Sequence, residues 1–185
     1  MIVRNLPNAL TILRIVLSPF FMLFMINDFL VLSLLLMFLI SVTDFLDGYY
    51  ARKYDLVTDL GKYLDPLADK IFILTVFFTL YFILGNNIFP LWMILLILLR
   101  DVFITIMRNF LKSNQNNFST SRLAKNKTLI QIICMHFIIF ILILNRYLII
   151  TIDYSSIYYI MFFCTLITLI SGFDYIYQYC IKKNG

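Results

Sequence analysis

Residues 43–70 read TDFLDGYYARKYDLVTDLGKYLDPLADK and hold six of the chain's ten acidic residues. Both flanks are almost pure Leu, Ile, Phe and Met. Every acid in the chain is aspartate, since glutamate is absent. At about 100° per residue, Asp44, Asp47, Gly48 and Ala51 share an arc of about 100° on one helix. Gly61, Asp65, Ala68 and Asp69 do the same on the next, provided that helix runs through Pro66, which disfavours helical geometry at Asp65. A helix start or a kink near Pro66 still leaves Asp65 and Asp69 on a similar side. Two helices joined by a short link are antiparallel neighbours, so the two stripes can face each other. Four carboxylates then converge beside residues with almost no side chain.

Four like charges held together need a cation to neutralise them. Carboxylate oxygen is the ligand that Mg²⁺, Ca²⁺ and Mn²⁺ prefer. The glycines and alanines leave room above such ions, and Arg52 offers a fork for phosphate. Metals, phosphate and a membrane edge together suggest phosphoryl-group chemistry on a lipid. Asp55 and Asp59 fall in the link between the helices and read as solvated. The other four border or enter apolar spans, where ionisable groups are costly and usually functional.

The flanks define the class. The 185 residues are 62% hydrophobic and 14% charged, with a mean hydropathy of +0.93. Soluble domains are roughly 45–50% apolar and about 25% charged, so the expected protein is an all-α integral membrane protein. Spans of about 20 apolar residues are placed at 8–26, 29–51, 63–84, 88–111, 128–148 and 155–180. They form one six-helix bundle, a single domain over 1–185, without repeat or soluble domain. The N-terminal stretch lacks a small-residue cleavage site and continues to spanning length, so it reads as a retained first helix. Fourteen of the fifteen lysines and arginines fall on one side of this topology, and only Arg146 on the other. By the positive-inside rule both termini and the acidic stretch are cytoplasmic. The net charge of +5 therefore reports topology, and no basic soluble patch exists to hold nucleic acid.

Written out, the acidic stretch is Asp44-x2-Asp47-Gly48-x2-Ala51-Arg52-x8-Gly61-x3-Asp65-x3-Asp69. It resembles the signature of the CDP-alcohol phosphatidyltransferases at all eight positions. The resemblance implies a six-helix membrane enzyme, usually a homodimer, that displaces CMP from a CDP-linked lipid with a hydroxyl nucleophile. It implies that Asp44, Asp47, Asp65 and Asp69 line a site for Mg²⁺ or Mn²⁺, two ions in all, holding the CDP pyrophosphate. Gly48, Ala51, Arg52 and Gly61 would border the cytidine and phosphates, and Asp69 would be the general base. The implied address is a bacterial inner membrane, with the active site on its cytoplasmic face.

Four further segments resemble one subfamily, and the first three narrow the acceptor alcohol. The opening NLPNALTILR is similar to the start of the phosphatidylglycerophosphate synthases, with Asn8, Thr11 and Arg14 at matching places. Arg100-Asp101-x6-Arg108 and Ala124-Lys125-Asn126-Lys127-Thr128 are similar to two further elements of that subfamily, with Ala124 where it carries glycine. The closing SGFDYIYQY also resembles its members. The implied substrates are CDP-diacylglycerol and sn-glycerol 3-phosphate. An acceptor with its own phosphate needs cations, and Arg100 and Arg108 are about 80° apart on one helix, so both can address one pocket. Lys125 and Lys127 would join them from the next helix. Positive-inside anchoring, or pairing of Arg100 with Asp101, is the alternative use of these bases.

Rival readings have less in their favour. A cardiolipin-synthase-like enzyme, or one accepting serine or inositol phosphate, shares the motif. A lipid acceptor makes the four bases less necessary. Cation-transporter sites lie near the midplane, often within repeats, whereas these acids cluster at one edge. A zinc metalloprotease lacks its HExxH. His136, the only histidine, reads as buried and satisfied, and Cys134, Cys164 and Cys180 as small hydrophobes. Trp92 and the tyrosines of 147–179 fit interfacial belts.

Overall fold

A computed structural model describes residues 6–53, 59–113, 122–147 and 151–184, with side chains at 9–44, 64, 67–107, 127–147 and 151–178. All regular structure among them is helical. The order is α1 (Leu6–Ile26), α2 (Leu30–Lys53), α3 (Asp59–Leu84), α4 (Leu91–Ser113), α5 (Arg122–Tyr147) and α6 (Ser155–Asn184). The α3 backbone continues through Pro66, so the helix neither starts at the proline nor ends there.

The breaks between helices have local causes. Asp28 turns the chain between α1 and α2 with φ 65°, a left-handed conformation that Asp tolerates better than most residues. Gly85 ends α3 with φ 76°, where a side chain would be strained. The Asn86 side chain then accepts the Leu91 N–H at 3.0 Å as α4 begins behind Pro90. Asp153 opens α6, accepting the Ser155 N–H at 3.2 Å and the Ser155 hydroxyl at 2.7 Å.

The helices group into two compact units. One comprises Met1–Ile83 with Ile139–Thr151, the other Leu84–Ile138 with Ile152–Gly185. In the first unit α1 packs on α2. Thr11, Arg14, Ser18, Phe21 and Met25 form one buried stripe of α1 at alternating spacings of three and four, the period of a helix face. Phe21 meets Phe72 of α3 edge-on, with centroids 6.2 Å apart. Phe72, Val76 and Leu80 bury the matching stripe of α3. At one edge of this unit Arg146 of α5 pairs with Asp28 at 2.6 Å, with both side chains exposed. In the second unit α4 packs on α6, and Gln131 of α5 donates to the Thr168 hydroxyl of α6 at 3.0 Å.

Large apolar side chains face outward on every helix, among them Phe20, Phe38, Phe82, Leu99, Phe137 and Phe173. In water such a surface would drive association; in a bilayer it is the solvated face. Four helices are long and apolar enough to cross a membrane among the described residues: Ala9–Ile26, Leu67–Leu84, Lys127–Tyr147 and Ser155–Gln178. The chain is an integral membrane protein. The other two helices differ for identifiable reasons. The described apolar part of α2, Leu30–Asp44, is shorter than a span. In α4 the apolar run is broken at mid-helix by Arg100 and Asp101.

Candidate active site

Asp44 ends the apolar run of α2, and Asp69 lies ten residues into α3, one position past the buried Ala68. The structure brings these two carboxylates to one nitrogen. Arg14 Nη1 lies 2.7 Å from Asp44 Oδ1 and 2.7 Å from Asp69 Oδ1. The two oxygens are thus separated by at most twice that distance, although their helices are distinct. The Arg14 side chain is 1% exposed, whereas those of Asp44 and Asp69 are 39% and 38% exposed. The cation stands behind the carboxylates, and the carboxylates face outward.

Asp47, Gly48, Ala51 and Arg52 lie on the last turns of α2, and Gly61 and Asp65 on the first turns of α3. Their side chains fall outside the described residues, and Asp55 lies outside them altogether. Among the described side chains no group of three or more His, Cys, Asp or Glu gathers as a metal cluster. The donor chemistry of the two described acids still fits a hard divalent ion. A carboxylate carries about four lone-pair sites, and both of these side chains are more than a third exposed. Oxygen-only donors select Mg²⁺ or Mn²⁺ over softer metals.

A second polar cluster is built in the other unit. Arg100 Nη1 lies 3.1 Å from Asp101 Oδ1, and Nη2 donates to the Ser171 hydroxyl at 2.8 Å. Lys127 of α5 donates to the same Asp101 oxygen. Arg100 is nine-tenths buried, and Gly172 gives it space, since a Cβ there would stand 3.0 Å from its Cγ and Nε. Two of the four expected acceptor-binding bases, Arg100 and Lys127, therefore meet at one carboxylate. Arg108 and Lys125 lie on α4 and α5, with side chains outside the described residues. His136 Nδ1 lies 2.8 Å from the Ile132 carbonyl, a contact from one ring nitrogen to the backbone of its own helix.

Asp101, Ser171 and Gly172 were not among the expected site residues, and Arg14 was marked only by its match to the opening segment, without a role. Arg14 carries a signal that could have placed it there: a charged residue inside an apolar run is costly and needs a partner. Asp101 was foreseen only as a possible partner of Arg100. Ser171 and Gly172 carry no such signal, because a small residue in a membrane helix suits any close packing.

Comparison with known proteins places this architecture. The family model of the CDP-alcohol phosphatidyltransferases matches residues 4–171. Two curated relatives are named CDP-diacylglycerol–glycerol-3-phosphate 3-phosphatidyltransferase. That of Rickettsia bellii is 40% identical over an alignment of length 189, covering 97% of each chain. That of Bacillus subtilis is 36% identical, covering 71% of this chain and 74% of its own. A third of the same name, from Rickettsia typhi, is 43% identical over 139 residues.

Proposed function

This chain belongs to the CDP-alcohol phosphatidyltransferase family, and on that premise we propose that it makes phosphatidylglycerophosphate. It is a transferase of phospholipid biosynthesis that moves the phosphatidyl group of CDP-diacylglycerol to sn-glycerol 3-phosphate and releases CMP. The observation that carries this is the end-to-end similarity to the Rickettsia bellii enzyme of that name. The relatives' shared name supplies the acceptor, which the motif alone leaves open.

The residue roles follow from the chemistry. The acceptor hydroxyl oxygen forms a bond to the phosphorus that bears diacylglycerol. The bond from that phosphorus to the CMP oxygen breaks, and CMP leaves as a phosphate monoester. Asp69 takes the hydroxyl proton, as a carboxylate within hydrogen-bond reach can. Asp44, Asp47, Asp65 and Asp69 would hold two Mg²⁺ or Mn²⁺ ions, which would neutralise the pyrophosphate and polarise the phosphoryl group under attack. Gly48, Ala51 and Gly61 keep the nucleotide's approach open, and Arg52 contributes a fork for phosphate. Arg100, Arg108, Lys125 and Lys127 bind the acceptor's phosphate, and Asp101 keeps the buried charge of Arg100 and Lys127 compensated.

The remainder of the reading concerns setting. Residues 1–185 form one transmembrane domain of six spans in a bacterial inner membrane. Both termini and the carboxylates are cytoplasmic, and two copies assemble as a homodimer. The test of function is an alcohol panel. Protein purified in detergent is given CDP-diacylglycerol, divalent metal and one alcohol at a time, and CMP is measured. Release is expected with glycerol 3-phosphate and not after chelation. Release only with phosphatidylglycerol, serine or inositol phosphate would overturn the acceptor assignment.

A further inference from the structure

Arg14 lies outside the eight-position acidic motif, and it is the most enclosed charge among the described side chains of the first unit. It sits inside the apolar span Ala9–Ile26, where an arginine is costly unless compensated. Its compensation comes from two other helices, through Nη1 contacts of 2.7 Å to Asp44 and to Asp69. It is also anchored at its backbone end, where the Ser18 hydroxyl donates to the Arg14 carbonyl at 2.8 Å. A guanidinium stays charged at any ordinary pH, so this cation is permanent, unlike a metal ion that binds and leaves. Arg14 is nearly fully buried, whereas the two carboxylates it holds are more than a third exposed.

We propose that Arg14 is the built-in counter-cation of the carboxylate site and the positioning residue for Asp69. It holds the carboxylates of α2 and α3 together before any divalent ion binds, and it orients Asp69 toward the acceptor hydroxyl. The second role rests on the reading of Asp69 as the base; the first does not. Two consequences have opposite signs. A fixed positive charge beside the carboxylates repels an incoming dication, so Arg14 weakens metal binding. The same charge fixes the carboxylate geometry, so it speeds turnover. A residue that merely supported the fold would move both in one direction.

The test uses full-length protein in detergent with R14Q and R14K. Binding of Mn²⁺ is followed by the spin resonance of the free ion, stability by thermal unfolding in chelator and in saturating Mn²⁺, and turnover by CMP release. R14Q is expected to bind Mn²⁺ more tightly than the wild type while kcat falls by about 10- to 100-fold and KM for CDP-diacylglycerol changes little. Its melting point falls in chelator, and Mn²⁺ recovers most of that loss because the ions take over the neutralisation. R14K, which keeps the charge but not the reach and planar geometry that set Nη1 between the two carboxylates, binds Mn²⁺ as the wild type does and recovers turnover in part. Weaker Mn²⁺ binding by R14Q, or an equal loss of stability with and without Mn²⁺, overturns the counter-cation. If R14Q does not fold, R14K decides the positioning role: wild-type kcat in R14K overturns it, and reduced kcat at unchanged Mn²⁺ affinity supports it. Should the wild type release no CMP with glycerol 3-phosphate while the Mn²⁺ results hold, the acceptor reading fails and the counter-cation stands.

Discussion

A methyl group at position 172 would lie 3.0 Å from both Cγ and Nε of Arg100. Replacing a helical glycine by alanine gains up to about 1 kcal/mol in helix propensity. Overpacking costs about 1–3 kcal/mol, and Arg100 has little freedom to yield because Asp101 and Ser171 hold its two terminal nitrogens. The cost wins. G172A should melt below the wild type in a thermal scan, and its KM for glycerol 3-phosphate should rise more than its KM for CDP-diacylglycerol. At this scale the sequence was legible where chemistry prescribes both the residue type and the interval. Asp44 and Asp69 were expected together and do come together, at the Arg14 nitrogen of α1. The partnership of Asp69 with Arg14 joins residues 55 apart and leaves no local signature. An arginine in an apolar run announces that it needs a carboxylate but does not say which.

Helix ends divide into two kinds. Where the apolar runs predicted spans ending near 51, 111 and 180, helices α2, α4 and α6 continue to Lys53, Ser113 and Asn184. Where spans were expected to start at 63 and 128, α3 and α5 already begin at Asp59 and Arg122. All of these overshoots lie on the basic side. Hydropathy marks where a helix leaves apolar surroundings, whereas the backbone hydrogen bonds continue until a breaker intervenes. On the opposite side the breakers sit at the end of the apolar run itself: Gly85, Pro90 and Asp153. The Asp153 carboxyl lies below the usual aspartate range, first because the Ser155 hydroxyl donates to it and then because the Ser155 N–H does. A carboxylate so depressed stabilises the fold above its unfolded-state value and loses that contribution as pH falls through the folded one. D153N, which keeps the acceptor oxygen but not the charge, should melt below the wild type at neutral pH. The gap should close as the pH drops below about 4.

For the molecule as a whole, the asymmetry of basic residues makes a topological prediction. In a variant with Cys180 replaced by serine, the remaining cysteines, Cys134 and Cys164, are buried. A cysteine introduced for exposed Asn87 should react with an impermeant maleimide in right-side-out vesicles, and one introduced for Lys183 only in inverted vesicles. Labelling in the reverse pattern would refute the cytoplasmic placement of the carboxylates. The membrane class was legible from composition, because no soluble fold tolerates so many outward-facing Phe and Leu. The grouping into two units was not, because α5 contributes to both, dividing at Ile138 and Ile139, and its hydropathy does not change there. The enclosure of Arg14 bears, finally, on how the protein is made. The first helix emerges from the ribosome carrying an arginine whose partners have not yet been synthesised. An arginine at the centre of a span adds about 2.5–3.5 kcal/mol to its insertion, and Arg14, five residues past the start of Ala9–Ile26, imposes a smaller penalty of the same kind. The penalty is relieved by Asp44 and then by Asp69, when α2 and α3 arrive. Integration of the first span is thus provisional, and a carboxylate translated 55 residues later completes it.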